Sequence, residues 1–141
     1  FTPLYVACQE GHFECAQLLR DAGTAVNQAK QNGATPLFIA CEKGHLECVQ
    51  LLLGARAAVN QAKDGVTPLY MACQEDHLEC VQLLLGARAA VNQAKDGVTP
   101  LYMACQKGHL ECIQLLLGAS AAVNQAKGDG ATPLYTACEK G

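Results

Sequence analysis

The sequence predicts an all-α solenoid in which helix-turn-helix units are joined by hairpin-like finger loops. The tripeptide Thr-Pro-Leu recurs at separations of 33, 32, 32 and 33 residues, a period typical of stacked repeats. Each unit also holds two stretches with apolar residues at helical spacing. A polar connector containing glycine follows each pair of stretches. The anchors begin at Thr2, Thr35, Thr67, Thr99 and Thr132.

The units are nearly identical in sequence, which indicates one continuous array. Residues 59–90 and 91–122 differ at only four of 32 positions. Because one such unit cannot bury its apolar face alone, the units are expected to stack. We predict a single domain over residues 1–141, with units at about 2–34, 35–66, 67–98 and 99–131 and a partial unit at 132–141.

The first helix of each unit is predicted to begin at the Thr-Pro pair. The Thr2 hydroxyl can accept a hydrogen bond from a free N–H of the first turn, and Pro3 already has a helical φ. Leu4, Ala7 and Cys8 then follow at i, i+3 and i+4, the spacing of a buried helical stripe. This pattern places Cys8 in the core.

The second helix is predicted to begin directly after a Gly-His pair. Gly11 can adopt the left-handed conformation that ends the first helix, and Glu14 lies where a carboxylate favours the positive end of the next helix dipole. Cys15, Leu18 and Leu19 repeat the apolar stripe, so both cysteines of a unit are predicted to point into the core. The connector NQAKDGVTPL contains Asp-Gly, which predicts a tight hairpin-like finger.

At these residues the chain resembles the ankyrin-repeat family. The family pattern G-x-T-P-L-H-x-A-x-x-x-G-H, followed by a Leu-rich helix and G-A-D-V-N, reads here as GATPLFIACEKGHLECVQLLLGARAAVN over residues 33–60. The resemblance covers the whole chain. It implies a solenoid whose concave helix face and fingers contact protein partners.

Two departures from the family pattern concern aromatic residues and helix ends. The histidine after Thr-Pro-Leu is replaced by an aromatic ring, and we expect rings to stack between units instead. These rings belong to Tyr5, Phe38, Tyr70, Tyr102 and Tyr135. The glycine after the second helix is kept only in the first unit, as Gly23, and is replaced in later units by Arg56, Arg88 and Ser120. In those units a new glycine stands two places earlier, at Gly54, Gly86 and Gly118. We therefore expect the second helix to end early in those units.

The spacing C-x3-H-x2-C, first seen at Cys8, His12 and Cys15, resembles the beginning of a zinc site. A structural zinc site needs four donors around one point, and a unit offers three, two of them on core-facing stripes. We therefore predict no metal and no cofactor, with buried cysteines acting as small apolar residues and the histidines bonding backbone groups of the turns.

A catalytic role is disfavoured on similar grounds. A Cys-His nucleophile needs a partly exposed sulfur that favours the thiolate, which a core stripe does not provide. The single serine, Ser120, lies in a turn, and no phosphate-binding glycine motif occurs. We predict no enzyme activity, and keep a Cys/His metalloprotein or hydrolase only as a contrasting hypothesis.

Composition excludes two further classes. With 10 basic against 13 acidic residues, a net charge of -3 and no basic run, the chain is unsuited to nucleic acid. Its apolar runs are far shorter than the roughly 20 residues that span a bilayer, so no membrane segment is expected. Nine cysteines without a leader before Phe1 suggest thiols kept reduced, so we expect an intracellular, cytoplasmic location.

The candidate contact surface lies on the first helices, opposite the core, and on the fingers. In ankyrin repeats this helix face lines the concave groove, and stacking of the units would align apolar residues that polar residues flank. The predicted partner-binding residues are Val6, Ile39, Met71 and Met103 in the stripe, Gln74, Glu75, Gln106 and Lys107 beside it, and Asp64, Val66, Asp96 and Val98 in the fingers.

Two functional hypotheses follow from this surface. The first is a non-catalytic module that binds a protein or peptide partner through the groove and fingers. The second is an engineered or consensus-like scaffold without an evolved ligand, which the identity of Met71 with Met103 and of Gln74 with Gln106 favours. In either case both ends lack the polar outer faces of capping repeats, so we expect head-to-tail stacking between molecules.

Overall fold

The computed structural model describes residues 1–140, and the side chains of residues 1–139. Within this range the chain forms nine short helices and no strand, as the predicted all-α class requires. The helices are α1 (Pro3–Glu10), α2 (Phe13–Asp21), α3 (Pro36–Lys43), α4 (Leu46–Gly54), α5 (Pro68–Gln74), α6 (Leu78–Gly86), α7 (Pro100–Lys107), α8 (Leu110–Gly118) and α9 (Pro133–Lys140). None of these helices has the length and apolar character needed to cross a membrane.

The helices form two layers. The first helices of successive units pack side by side in the order α1, α3, α5, α7 and α9, and the second helices pack in the order α2, α4, α6 and α8. Each first helix also packs against the second helix of its own unit. The core therefore runs continuously between the layers.

Every first helix begins with the predicted threonine cap. The Oγ1 atom accepts a hydrogen bond from the N–H three residues later, at 3.1 Å for Thr2, Thr35, Thr67 and Thr99 and at 3.2 Å for Thr132. In α1, α3, α5 and α7 a proline follows the cap in the first turn. The prediction of these helix starts is confirmed.

The prediction that the second helix ends early is wrong. α4 ends at Gly54 and has nine residues, the same length as α2, which ends at Asp21. Arg56 has φ 60°, so it takes the left-handed position of Gly23, and its N–H bonds the Leu53 carbonyl at 3.0 Å. Gly54 therefore lies within the last helical turn, because the unit places its left-handed residue two positions later.

The core contains the cysteine stripes of the internal units but not the outer stripe of α2. Leu4, Cys8 and Leu52 are fully buried, as predicted. Cys15 is exposed, and Leu18 is 71% exposed, so the prediction that both point into the core is wrong. The equivalent residue of the next unit, Cys48, is covered by α1, whereas no unit of the chain packs on that side of α2.

The fingers are hairpin-like tips, as Asp-Gly predicts. In the second finger, Lys63 and Val66 exchange two backbone hydrogen bonds, of 2.9 and 2.8 Å. Asp64 and Gly65 both have positive φ, at 50° and 83°, which is the conformation that a two-residue hairpin turn requires. In the longer first finger, the Asn32 side chain accepts a hydrogen bond from the Ala34 N–H at 3.1 Å.

Asp76 replaces the turn glycine of the third unit and is expected to cost stability. Its φ is 60°, a conformation that costs a residue with a Cβ on the order of 1 kcal/mol. Asp76→Gly is therefore expected to stabilise the array by about 1 kcal/mol, less the weak hydrogen bond that its Oδ1 accepts from Cys112 at 3.3 Å. Urea unfolding measures this difference, and an unchanged or lower midpoint would contradict it.

Candidate functional site

Histidines fix the spacing between neighbouring first helices. The Nε2 atom of His45 lies 3.1 Å from the Gln9 carbonyl oxygen of the preceding unit, and that of His77 lies 3.2 Å from the Glu42 carbonyl. His109 makes the equivalent contact, at 3.2 Å. The prediction that the histidines bond backbone groups is confirmed for these three, whereas His12 is exposed and makes no such bond among the described residues. The carbonyls that are bound belong to the helix ends that carry the candidate surface.

Asparagines of the VNQA segments make a second set of ties between units. The Oδ1 atoms of Asn27, Asn60 and Asn92 each accept a hydrogen bond of 2.8 Å from a backbone N–H in the following unit. Each bond spans 30 or 31 residues along the chain. Together with the histidine ties, these bonds hold successive fingers and helix ends in a fixed register.

Finger lysines, rather than neighbouring rings, contact the aromatic residues that follow Thr-Pro-Leu in the first two units. Lys30 Nζ lies 5.0 Å from the Tyr5 ring centroid, and Lys63 Nζ lies 5.2 Å from that of Phe38. In the described residues the one pair of rings in contact is Phe1 and Tyr5, both in the first unit. The expectation of stacking between units is therefore wrong for the described rings, and in the first two units a lysine of the unit's own finger lies over the ring instead.

The apolar stripe of the first helices is interrupted. Val6 is 43% exposed, and Met71 and Met103 are half-buried. Ile39 is only 5% exposed and belongs to the core, so the prediction that it faces away from the core is wrong. α3 lies between α1 and α5, which cover a short β-branched side chain, whereas the longer methionine at the same position of the next unit stays partly accessible.

Charged and amide side chains occupy the rim of the same face. Glu75 and Lys107 are exposed, and Gln74 and Gln106 are half-buried. The Gln74 amide donates to the Glu75 carboxylate at 2.9 Å, which orients that carboxylate. The finger residues Asp64 and Asp96 are exposed and Val66 and Val98 are half-buried, so the predicted finger set remains accessible.

A depression of about 320 Å³ lies between the second and third units. It combines both signs of charge with one thioether, and it includes three residues that the predicted set lacked. Its lining is Glu42, Lys43, Lys63, Met71, Gln74 and Glu75. The signal that could have added Glu42 and Lys43 was their position in the repeat, because Lys43 stands where Glu75 does and the equivalent of Glu42 is Gln74. Lys63 lies in a finger, and no such equivalence adds it.

Several buried thiols lie in close pairs between units and are poor nucleophiles. Burial, together with the neighbouring Cys48 thiol, raises the pKa of Cys8 to about 12. A hydrogen bond with Cys112, together with burial, raises the pKa of Cys73 far above its ordinary value. Burial also raises the pKa of Cys80 to about 11. Among the described residues no three His, Cys, Asp or Glu side chains are placed to hold a metal ion.

Thiol reactivity should therefore divide the nine cysteines sharply. Cys15 and Cys138 are exposed, whereas the other seven are buried, and the thiolate is the reactive form. With an aromatic disulfide reagent at neutral pH, two thiols should react first and seven at least about tenfold more slowly. Cys15→Ser should remove one fast equivalent, and unfolding in denaturant should make all nine react. A third fast thiol in the folded parent would contradict the expectation.

A family model described as ankyrin repeats in three copies matches residues 4–95 and again residues 87–141. These matches cover nearly the whole chain. The chain belongs to the ankyrin-repeat family. Ankyrin repeats are generally protein–protein interaction modules and are typically non-catalytic. Comparison of this ankyrin-repeat chain with curated proteins gave no match.

Proposed function

We propose that this ankyrin-repeat chain binds a protein or peptide partner through the face of its first helices and its fingers. The observation that carries the proposal is the pair of partly exposed methionines, Met71 and Met103, which lie at equivalent positions of adjacent packed helices. Thioether side chains adapt to many apolar shapes, which suits them to contact surfaces. The charged rim and the accessible finger residues would surround such a contact with polar groups.

The proposal is tested by capture from a cell lysate on the immobilised chain. We expect Met71→Glu with Met103→Glu to lose a partner that the parent retains, because two carboxylates buried in an apolar contact would lose their water. The matched control is Gln50→Glu with Gln82→Glu, which adds the same two charges at exposed positions of α4 and α6. The captured protein is then purified and titrated against the parent chain and both variants.

Loss of affinity confined to the methionine variant would support a functional groove. Equal affinity of the partner for the parent and both variants would mean that the contact lies elsewhere on the chain. If none of the three retains a protein, the alternative of an engineered or consensus-like scaffold without an evolved ligand is favoured. We further propose that the chain works in the reducing cytoplasm, where its buried thiols would stay reduced.

A second partner that we propose is another copy of the chain. Leu18 of α2 is 71% exposed and Leu117 of α8 is 46% exposed, at opposite ends of the second-helix layer. The internal equivalent of Leu18 is Leu51, which is 7% exposed because the preceding unit covers it. Head-to-tail stacking would cover both ends in the same way. Light scattering over a range of concentrations tests this, and a monomer throughout would contradict it.

A further inference from the structure

The ninth residue of each complete unit, counted from its threonine, carries a charge at the end of the first helix. These residues are Glu10, Lys43, Glu75 and Lys107, and their signs alternate along the packed helices α1, α3, α5 and α7. All four are exposed. The fifth unit has Lys140 at this position, and its side chain lies outside the described part of the structure. We call the four residues the charge row.

The members of the charge row are held in place and do not neutralise one another. Gln9 donates to the Glu10 carboxylate and Gln74 to that of Glu75, both at 2.9 Å, so each carboxylate is oriented by its own neighbour. The ion pairs found among the described side chains join no two members of the row. One of them links Lys43 to the adjacent Glu42, at 3.7 Å between Nζ and Oε1, and both side chains remain partly exposed to a partner. The histidine ties to the same helix ends fix the register of the units that carry these charges.

The spacing of the row suits one backbone conformation of a partner. Packed helices lie about 8 to 10 Å apart, so successive charges of the row recur at roughly that interval. A polyproline II helix advances about 9 Å in each turn of three residues, which brings every third side chain to the same side. A β-strand would turn the third side chain to the opposite face, because its period is two.

We infer that the row recognises an extended, proline-rich peptide whose every third residue is charged, alternately basic and acidic. The inference rests on the proposed binding function and specifies its partner. Lysines of the peptide would face Glu10 and Glu75, and its glutamates would face Lys43 and Lys107. The depression beside Lys43 and Glu75 would receive a side chain between two of these contacts. The row has an acidic end at Glu10 and a basic end at Lys107, so reversing a four-charge peptide would place like charges opposite one another, and such a peptide binds in one orientation.

The test compares two synthetic proline-rich peptides of identical composition. In one, lysine and glutamate alternate at every third residue; in the other, two lysines precede two glutamates at the same positions. Four charge contacts would form with the first peptide, but two favourable and two repulsive contacts with the second. We expect the parent chain to bind the alternating peptide about tenfold more tightly at low salt, and the difference to shrink as salt is added.

A charge exchange on the protein makes the test specific. Lys43→Glu with Glu75→Lys leaves the net charge unchanged and orders the row as two acidic and then two basic residues. This variant is expected to prefer the blocked peptide by the same factor. The matched control exchanges the adjacent charges of α2, Arg20→Asp with Asp21→Arg, and should keep the preference of the parent.

Equal affinity of the parent for both peptides, no detectable binding of either, or an exchange variant that keeps the parental preference would each overturn the inference. These failures are distinct from failure of the proposed function. A lysate partner lost only by the methionine variant would still establish a binding groove, whose ligand would then lack the alternating charges.

Discussion

Replacing Leu84 by alanine should lower the free energy of unfolding by about 3 kcal/mol, within the 2 to 5 kcal/mol typical of buried leucines. The Leu84 side chain is fully buried in α6, between the two helix layers. Truncation removes apolar surface from the core and leaves a cavity that the packed helices on either side cannot fill. Because each unit is stabilised by its neighbours, the loss should weaken both interfaces of the third unit.

Urea unfolding followed by circular dichroism measures the effect. Leu18→Ala is the matched control, since it makes the same truncation in the second helix of another unit at a side chain that is 71% exposed. We expect the control to change stability by no more than about 0.5 kcal/mol. Equal losses in the two variants would mean that Leu84 does not lie in a packed core. A lower slope against urea in the Leu84 variant would indicate that the third unit unfolds separately.

The sequence was sufficient to predict features that one unit determines by itself. The threonine caps, the left-handed Gly11 and the Asp-Gly finger each depend on a few adjacent residues, whose backbone preferences are strong. The buried stripe through Leu4 and Cys8 follows from helical spacing alone. Repetition then made the same prediction several times over in one chain.

Features that depend on neighbouring units were predicted less well. Cys15 has the same spacing as Cys48, yet it is exposed because no unit of the chain covers α2 on that side. Ile39 and Met71 occupy the same position, but only the longer side chain stays partly exposed between its neighbours. Periodicity describes one helix and carries no information about what packs against it. The contact of Lys63 with the Phe38 ring also depends on how a finger folds over its unit.

The exposure of the candidate contact surface was predicted only in part for the same reason. The half-buried Met71 and Met103 share a position in the repeat, and the exposed Glu75 follows Met71 by about one helical turn, so helical spacing predicts that all three lie on one face. Lys63 joins them at the depression although it lies in a finger. No spacing rule within a helix predicts that a finger residue lies there, because its place depends on how the finger folds over its unit.

Gly44→Ala should destabilise the array by about 2 to 4 kcal/mol, through two separate effects. Gly44 has φ 73°, and alanine in this left-handed conformation costs about 1 to 2 kcal/mol. A Cβ at this position would also lie 2.6 Å from Cε1 of the His77 ring. The ring must then move, which weakens its contact with the Glu42 carbonyl at 3.2 Å and costs a further 1 to 2 kcal/mol, roughly the value of a part-buried hydrogen bond.

Gly108→Ala separates these two effects, because Gly108 has a similar φ of 77° and no atom within 4 Å of an added Cβ. It should lose only the conformational part, about 1 to 2 kcal/mol. In a double-mutant cycle, Gly44→Ala should cost about as little stability as Gly108→Ala when His77 is already alanine, since the ring that the Cβ displaces is gone. If Gly44→Ala and Gly108→Ala destabilise equally, or if the cycle is additive, the histidine does not tie the units together. A coupled cycle would instead assign the spacing of the charge row to these histidines, because His77 bonds the turn of α3 that ends at Lys43.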